Sequence, residues 1–181
     1  MALVSAEEEA LIASMIAVRD GDDAAFRSLV DTLSGRLQRF FAQRGAPAIE
    51  IEELVQETLI RVYRKRTSYR PGRSVTAWTF AIGRNLMIDR YRRQRPHVSL
   101  EAVAEPVAPP APDSAAVADI WALARRVLKP RDFEAVWLRY GANLTTPEVA
   151  QTLGLSGVHA RVLLHRARKR LALELRKEWL T

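Results

Sequence analysis

The 181-residue sequence contains no cysteine, and this absence removes several classes of structure at once. Without thiols there is neither a disulfide framework nor a thiolate metal site. The sequence also lacks any run of about 18 consecutive apolar residues, the length at which a membrane-spanning helix is expected. Its first residues are acidic where a signal peptide would be positively charged. We therefore predict a cytoplasmic protein with no membrane insertion.

Catalytic and metal-binding patterns are missing as well. Of the three histidines, His159 and His165 lack neighbouring carboxylates, and His97 lies far from both. No nucleophile elbow or phosphate-binding glycine loop occurs. The acidic residues between positions 50 and 57 resemble a carboxylate pair, but the preference of a helix N-terminus for acids explains them. We predict no catalytic residue, no metal and no cofactor, and hence a protein that is not an enzyme.

What the sequence does contain is an uneven distribution of its net charge of +7. Residues 1–60 hold 11 acidic against 5 basic residues, whereas residues 61–95 hold 11 basic residues and one acid, Asp89. Such segregation indicates a surface that faces a polyanion. Most of the cations are arginines, which suit phosphate and guanine recognition, although arginine richness also follows from genome base composition.

The hydrophobic pattern is helical nearly throughout, and no alternation of strand length appears. Four helices are predicted in the first half, over residues 6–20, 22–44, 49–65 and 74–95. The first begins with a capping box of Ser5 and Glu8. Five prolines between Pro96 and Pro112 then disfavour helix. We predict an all-α fold of two small helical domains, residues 1–95 and 119–181, joined by a Pro/Ala-rich linker at 96–118.

The second domain carries the most specific structural pattern. Two helices are predicted there, Ile120–Leu128 and Arg131–Tyr140. A capping box of Thr145 and Glu148 opens a third, short helix, and Gly154 and the capping residue Ser156 separate it from a long one. This arrangement is typical of a helix-turn-helix. An apolar stripe on the long helix is predicted to be core: Ala160, Leu164, Ala167 and Leu171.

The other face of this long helix is basic. His159 and Arg161 lie in its first turns, which in helix-turn-helix proteins enter the major groove and reach base edges. Cations further along are suited to phosphates: Arg166, Arg168, Lys169 and Arg170. On an isolated helix such a face would indicate only solvation, whereas behind a helix-turn-helix it predicts DNA contact.

In the first domain, aromatic residues are interleaved with arginines between positions 61 and 93. Rings that stack on bases, together with cations that hold the backbone, are what single-stranded nucleic acid requires. Trp78 is spaced for the core, so Tyr69 and the turn at Pro71 and Gly72 are the better candidates for a base-contacting loop. The alternative is that this turn only connects two helices.

These residues closely resemble a known family. Residues 53–63 are similar to region 2.2 of the sigma factors of bacterial RNA polymerase, and residues 74–93 to regions 2.3 and 2.4. Residues 128–140 and the helix-turn-helix look like region 4. The blocks occur in the order of a small extracytoplasmic-function (group IV) member of the sigma-70 family, without a region 3 domain. The resemblance implies a factor that directs promoter-specific transcription initiation, responds to stress and is controlled by an anti-sigma factor.

The resemblance also implies roles for individual residues. Those expected to bind core RNA polymerase at the β′ clamp are Glu53, Leu54, Gln56 and Glu57. Those expected to recognise and open the −10 element are Tyr69, Arg70, Arg73, Ser74, Arg84, Asn85, Asp89, Arg92 and Arg93. Those expected to read the −35 element, in the domain that would also meet the β flap, are Ser156, His159, Arg161, Val162, His165, Arg166, Arg168 and Lys169.

Two segments depart from the family pattern. Residues 157–159 read Gly-Val-His where the family usually has Val-Gly-Thr, and residues 161–163 read Arg-Val-Leu where it usually has Lys-Ser-Arg. Apolar side chains thus replace polar ones that face DNA, so we expect an unusual or weaker upstream contact, or a surface for another protein. A decoy that titrates an anti-sigma factor and an ordinary helix-turn-helix repressor remain the rival interpretations.

Overall fold

The computed structural model describes residues 5–94 and 115–179, and within these ranges it contains eight α-helices and no strand. The predicted all-α fold is confirmed. The chain divides into two compact units, Met1–Val107 and Ala108–Thr181. Most of the predicted linker, residues 96–118, lies outside the described residues.

The first unit is built from four helices. They are α1 (Ala6–Arg19), α2 (Asp23–Gln43), α3 (Ala48–Arg64) and α4 (Val75–Gln94). A short 3-10 turn, Arg66–Ser68, follows α3. Asp22 is the N-cap of α2. Its carboxylate accepts hydrogen bonds from the amides of Ala24 and Ala25, which have no acceptor within the helix. The four helices predicted from the hydrophobic pattern are therefore present at nearly the predicted bounds.

The core of this unit is aromatic and tightly packed. Phe40 of α2 stacks on Phe80 of α4 with ring centroids 4.7 Å apart. Gly83 lets α4 come close to its neighbours, because a Cβ there would lie 3.0 Å from Phe41 Cζ and 3.3 Å from Thr58 Oγ1. Thus α4 is held against both α2 and α3, and its first residues also contact α1.

The second unit also contains four helices: α5 (Ala115–Val127), α6 (Pro130–Val136), α7 (Thr146–Leu153) and α8 (Gly157–Trp179). The helix predicted to begin at Ile120 begins at Ala115, inside the predicted linker. The residues after Pro112 include several alanines, which favour helix once the prolines end.

A second difference concerns the helix predicted over Arg131–Tyr140. It ends as an α-helix at Val136 and continues as a π-helical turn, Trp137–Gly141, in which the Ala142 amide donates to the Trp137 carbonyl at 2.9 Å. Gly141 packs directly on the indole of Trp137, where a Cβ would lie 2.8 Å from the ring. The contact between Gly141 and Trp137 does not follow from the spacing of hydrophobic residues, so the hydrophobic pattern could not predict this π-helical turn.

The helix-turn-helix is formed by α7 and α8, as predicted. The Thr145 amide donates to the Glu148 carboxylate at 2.6 Å, which is one half of the predicted capping box. Gly154 ends α7 in the left-handed conformation, with φ of 64°, where glycine carries no steric penalty. Three of the predicted stripe residues of α8 are buried, namely Ala160, Leu164 and Ala167, and Leu171 is half-buried.

Candidate polymerase and nucleic-acid surfaces

The outward face of α3 carries most of the predicted polymerase-binding residues. Glu53 and Gln56 are exposed, and Glu57 is half-buried and paired with Arg61 at 2.9 Å. Leu54 is 0% exposed, so its predicted contact with polymerase must be corrected. One residue beyond Glu53 on a helix lies about 100° around the axis, which turns Leu54 into the core.

Two isoleucines on the same face were not identified from the sequence as part of this surface. Ile49 is 91% exposed and Ile60 is 46% exposed. Their spacing from Glu53 and Gln56 is four residues in each case, which places all four side chains along one side of α3. This spacing of four residues is the sequence pattern from which the two isoleucines could have been assigned to the same face. The α3 face, as we call Ile49, Glu53, Gln56 and Ile60, is therefore a mixed apolar and acidic surface.

Glu53 also links α3 to α4. Its carboxylate accepts a hydrogen bond from Arg90 Nη2 at 2.7 Å, and Arg90 Nε lies 3.2 Å from the Glu50 carboxylate. The hydrogen bond from Arg90 and the charge of that guanidinium lower the pKa of Glu53. One predicted polymerase residue thus helps to fix the position of the predicted −10 helix.

The loop before α4 presents some of its predicted residues and buries others. Arg70 and Arg73 are exposed beside the turn at Pro71 and Gly72. Tyr69, in contrast, is only 3% exposed: its ring packs against Trp78 and its hydroxyl donates to the Arg73 carbonyl at 2.5 Å. Burial, with a smaller contribution from the charge of Glu8, raises the pKa of Tyr69 to about 12. Direct base contact by Tyr69 is corrected accordingly, since its side chain braces the loop from within.

Ser74 is buried as well, and its partner comes from α1. The Ser74 hydroxyl donates to the Glu8 carboxylate at 3.0 Å, and the Val75 and Thr76 amides donate to the same oxygen at 2.6 and 3.1 Å. A carboxylate that accepts the first free amides of α4 stabilises that helix end. The predicted DNA contact of Ser74 is therefore corrected to a capping role.

Glu8 departs from its own predicted role at the same time. Its amide donates to Ser5 as the capping box requires, but its side chain reaches α4, more than 60 residues along the chain, instead of turning back to Ser5. Arg36 of α2 completes the group, with its Nη1 3.7 Å from Glu8 and 2.7 Å from Thr76 Oγ1. A partner so distant in sequence leaves no local signal.

The remaining predicted −10 residues surround a groove between α3 and α4 with a volume of about 530 Å³. Asn85, Asp89 and Arg92 are exposed along it and Arg84 is half-buried, while Arg93 is exposed on the same helix. Its wall on α3 is formed by two cations that the sequence assignment missed, Arg61 and Lys65. We call the set Arg61, Lys65, Arg84, Asn85, Asp89 and Arg92 the α3–α4 groove.

A further arginine, Arg44, lies near Arg84 of this groove. Arg44 at the end of α2 is positioned over the Phe40 ring, 5.6 Å from its centroid. Burial, together with the neighbouring charge of Arg84, lowers the pKa of Arg44 to about 9. Arg44 and Arg84 are thus two cations that lie near each other in the first unit.

The predicted −35 residues all lie on the solvent side of α8: Ser156, His159, Arg161, Val162, His165, Arg166, Arg168 and Lys169 are exposed. Within residues 5–94 and 115–179, none of the cations between Arg161 and Arg170 forms an ion pair, unlike Arg36, Arg61 and Arg90 of the first unit. Unpaired cations on one side of a recognition helix are suited to bind phosphates. Val158 and Val162 lie among them, 64% and 49% exposed.

Two other properties concern ligands and membranes. In the described part of the chain, no group of three or more His, Asp or Glu side chains is placed to hold a metal ion. None of the helices there combines the length and apolar character needed to cross a bilayer.

Comparison with known proteins agrees with this arrangement. Residues 26–97 match the family described as Sigma-70 region 2, and residues 124–171 match Sigma-70, region 4. The chain is 37% identical to the ECF RNA polymerase sigma factor SigF of Caulobacter vibrioides, over 94% of this chain and 96% of that one. It is 34% identical to the RNA polymerase sigma factor CarQ of Myxococcus xanthus, over 84% and 90%. The chain therefore belongs to the sigma-70 family, among its extracytoplasmic-function members.

Solved structures show the same fold. CnrH, solved in complex with the cytosolic domain of CnrY, superposes with a TM-score of 0.66 at 25% identity, covering 93% of this chain and 98% of that one. The sigma factor RpoE of Bartonella quintana, solved with the anti-sigma factor NepR, gives a TM-score of 0.64 at 24% identity, over 83% and 96%.

Proposed function

We propose that this protein brings core RNA polymerase to a set of promoters and initiates transcription there without an enzymatic activity of its own. The observation that carries the proposal is the pairing of two different basic surfaces. One comprises the α3–α4 groove and the exposed arginines of the loop before α4, and the other lies on the recognition helix of a helix-turn-helix. Since its targets are polymerase and chromosomal DNA, it would act in the cytoplasm.

The α3 face is the proposed contact with the β′ clamp. Glu53 and Gln56 supply polar and acidic groups there, with half-buried Glu57 beside them, and exposed Ile49 and Ile60 supply apolar area that is otherwise costly to leave in water. Leu54 contributes only by supporting this face from the core. The helix-turn-helix unit is the proposed contact with the β flap.

Opening of the −10 element is assigned to the loop at residues 70–73 and to the α3–α4 groove. Arg70, Arg73 and Arg93 are exposed where they meet a DNA backbone, while Asn85 and Asp89 offer groups that hydrogen-bond to base edges. Tyr69 and Ser74 hold the loop in shape. Arg61 and Lys65 extend the phosphate-binding surface onto α3.

Reading of the −35 element as duplex is assigned to α8. Ser156 directly precedes α8, and His159, Arg161, Val162 and His165 belong to its first turns, the part of a recognition helix that reaches base edges. Arg166, Arg168 and Lys169 lie further along, where phosphates are expected.

Control by an anti-sigma factor is the regulatory part of the proposal. Both solved neighbours were captured with a protein partner, named as an anti-sigma factor in the case of RpoE. We infer that such a partner covers the exposed isoleucines of the α3 face and releases them under stress. Polymerase and the partner would then compete for the same surface.

The test is reconstitution with core polymerase, followed by selection of bound fragments from genomic DNA and transcription from them. Promoter-dependent transcripts that require the added chain are expected. A chain that never joins core polymerase, yet binds an anti-sigma factor tightly, would instead act as a decoy. Salt-stable binding to a palindromic duplex without polymerase would indicate a repressor.

A further inference from the structure

Val158 and Val162 are exposed apolar residues that lie among the cations in the first turns of α8. They lie at helical spacing with Arg161 and His165, so all four side chains follow one side of the helix. The opposite side, with Ala160 and Leu164, is buried against the rest of the unit. The two valines therefore have no role in the core, and they lie in the turns that the proposed function places in the major groove.

Charge around the valines decides which kind of partner they meet. From Gly157 to Leu173 the sequence of α8 has no acidic residue, and Arg161, Arg166, Arg168, Lys169 and Arg170 are exposed around or beyond the valines. An apolar contact surrounded by cations that form no ion pairs in the described part of the chain is complementary to a polyanion that carries apolar groups. Duplex DNA is such a molecule, because thymine exposes a 5-methyl group in the major groove.

We propose that Val158 and Val162 recognise the 5-methyl groups of thymines in the upstream promoter element. The proposal rests on the proposed function, in which α8 reads that element. A valine offers no hydrogen bond, so a cytosine amine facing it would lose water without gaining a partner, whereas a thymine methyl group gains an apolar contact. Binding specificity thus comes from an attraction and from a penalty against other base pairs.

The spacing limits where the thymines lie. Residues four apart on a helix are separated by about 6 Å along its axis, and successive bases of a strand by about 3.4 Å. The two valines therefore match methyl groups one or two base steps apart. Arg161, on the same side of the helix, is placed to contact a neighbouring guanine.

The experiment uses the holoenzyme and a promoter obtained by selection from genomic DNA. Each thymine of the upstream element is replaced by deoxyuridine, which removes the methyl group alone, and the affinity of the holoenzyme is measured. Two adjacent or nearly adjacent replacements should each weaken binding about fourfold, the effect of exposing one methylene-sized group. Deoxyuridine outside the upstream and −10 elements should have no effect.

Variants then connect the methyl groups to the valines. Val158→Ser and Val162→Ser should each abolish the discrimination between thymine and uracil at one position. Leu173→Ser is the matched control, since Leu173 is 52% exposed on the same helix but about three to four turns further along. It should retain the discrimination. Helical content and thermal unfolding of all three chains should match the parent, because the changed side chains are exposed.

Each result decides the question. Loss of affinity on thymine replacement that disappears in the valine variants supports the proposal. Equal binding of thymine and uracil promoters, or a selected upstream element without T·A pairs, overturns it while the proposed function stands. If the holoenzyme selects no promoter at all, the proposed function fails and this proposal fails with it.

Discussion

Glu8 of α1 and Val75 of α4 are joined by a hydrogen bond of 2.6 Å from the Val75 amide to the Glu8 carboxylate. The same carboxylate accepts from Ser74 and Thr76 and lies beside Arg36. A side chain from the first helix thus satisfies the orphan amides of the helix that follows the proposed promoter-opening loop. The shape of that loop depends on a residue far from it in sequence.

Glu8→Gln should weaken both this support and promoter opening. The amide side chain offers fewer acceptors and no charge, and the buried group it leaves imperfectly paired should cost about 1–3 kcal/mol of unfolding free energy. Urea unfolding and permanganate reactivity of the opened DNA measure the two effects. Glu7→Gln is the control, because the Glu7 side chain is 63% exposed even though it pairs with Arg36. Equal stability of the two variants would contradict the role assigned to Glu8.

Gly83→Ala should destabilise the first unit. The new methyl group would lie 3.0 Å from the Phe41 ring and 3.3 Å from Thr58, so these buried side chains must move by a few tenths of an ångström, and we expect a cost of about 1–3 kcal/mol. Gly35→Ala in α2 is the matched control, since its Cβ would meet nothing within 4 Å. Alanine there should raise stability by up to about 1 kcal/mol through helix propensity. Denaturant unfolding that moved both variants in the same direction would rule out this packing argument.

Tyr69→Phe should lower the stability of the first unit by about 1 kcal/mol at neutral pH, because the Arg73 carbonyl loses its donor. The pKa of Tyr69 is raised from 10.0 to about 12, so the fold favours the protonated form. Its contribution is complete below pH 10 and is lost as the pH rises toward 12. The gap between parent and variant should therefore narrow above pH 10 in unfolding experiments.

Tyr140→Phe provides the comparison for that experiment, since Tyr140 is 50% exposed in the second unit. It should leave unfolding of the first unit unchanged across the same pH range. A parent-to-Tyr69→Phe gap that stays constant from neutral to alkaline pH would show that the hydroxyl is not held as described.

Arg168→Ala should weaken promoter binding by the holoenzyme and reduce its dependence on salt. If Arg168 neutralises one phosphate, the slope of log affinity against log salt should fall in magnitude by about 0.9. Lys177→Ala is the control, because Lys177 forms an ion pair with Glu174 at 2.9 Å in the last turn of α8. An unchanged slope for Arg168→Ala would remove that residue from the DNA surface.

The parts of the fold that follow from neighbouring residues could be predicted from the sequence. Asp22, Thr145 with Glu148, and Gly154 act within a few residues of themselves, so helix ends and the helix-turn-helix were correct. The start of α5 was wrong because helix resumes soon after Pro112. The π-helical turn was missed because it depends on the contact between Gly141 and Trp137.

The candidate site was predictable in its charges and less so in its buried members. Arg92 and Arg168 are exposed cations, as their patterns indicated. Leu54, Tyr69 and Ser74 lie inside the first unit, because a family motif contains supporting residues beside contacting ones. To tell supporting residues from contacting ones, one must know how α1, α2 and α4 pack together. No single segment of the sequence encodes that packing.

The hydrogen bonds between Glu8 and the start of α4 determine the smallest segment of this protein that can be exchanged with that of a relative. The family match begins at residue 26, whereas the carboxylate that closes α4 belongs to residue 8. A chimera joined at the match boundary would lose Glu8, and the Val75 and Thr76 amides behind the proposed promoter-opening loop would lose this acceptor. Domain grafts should therefore be cut ahead of Ser5, so that loop and brace are inherited together.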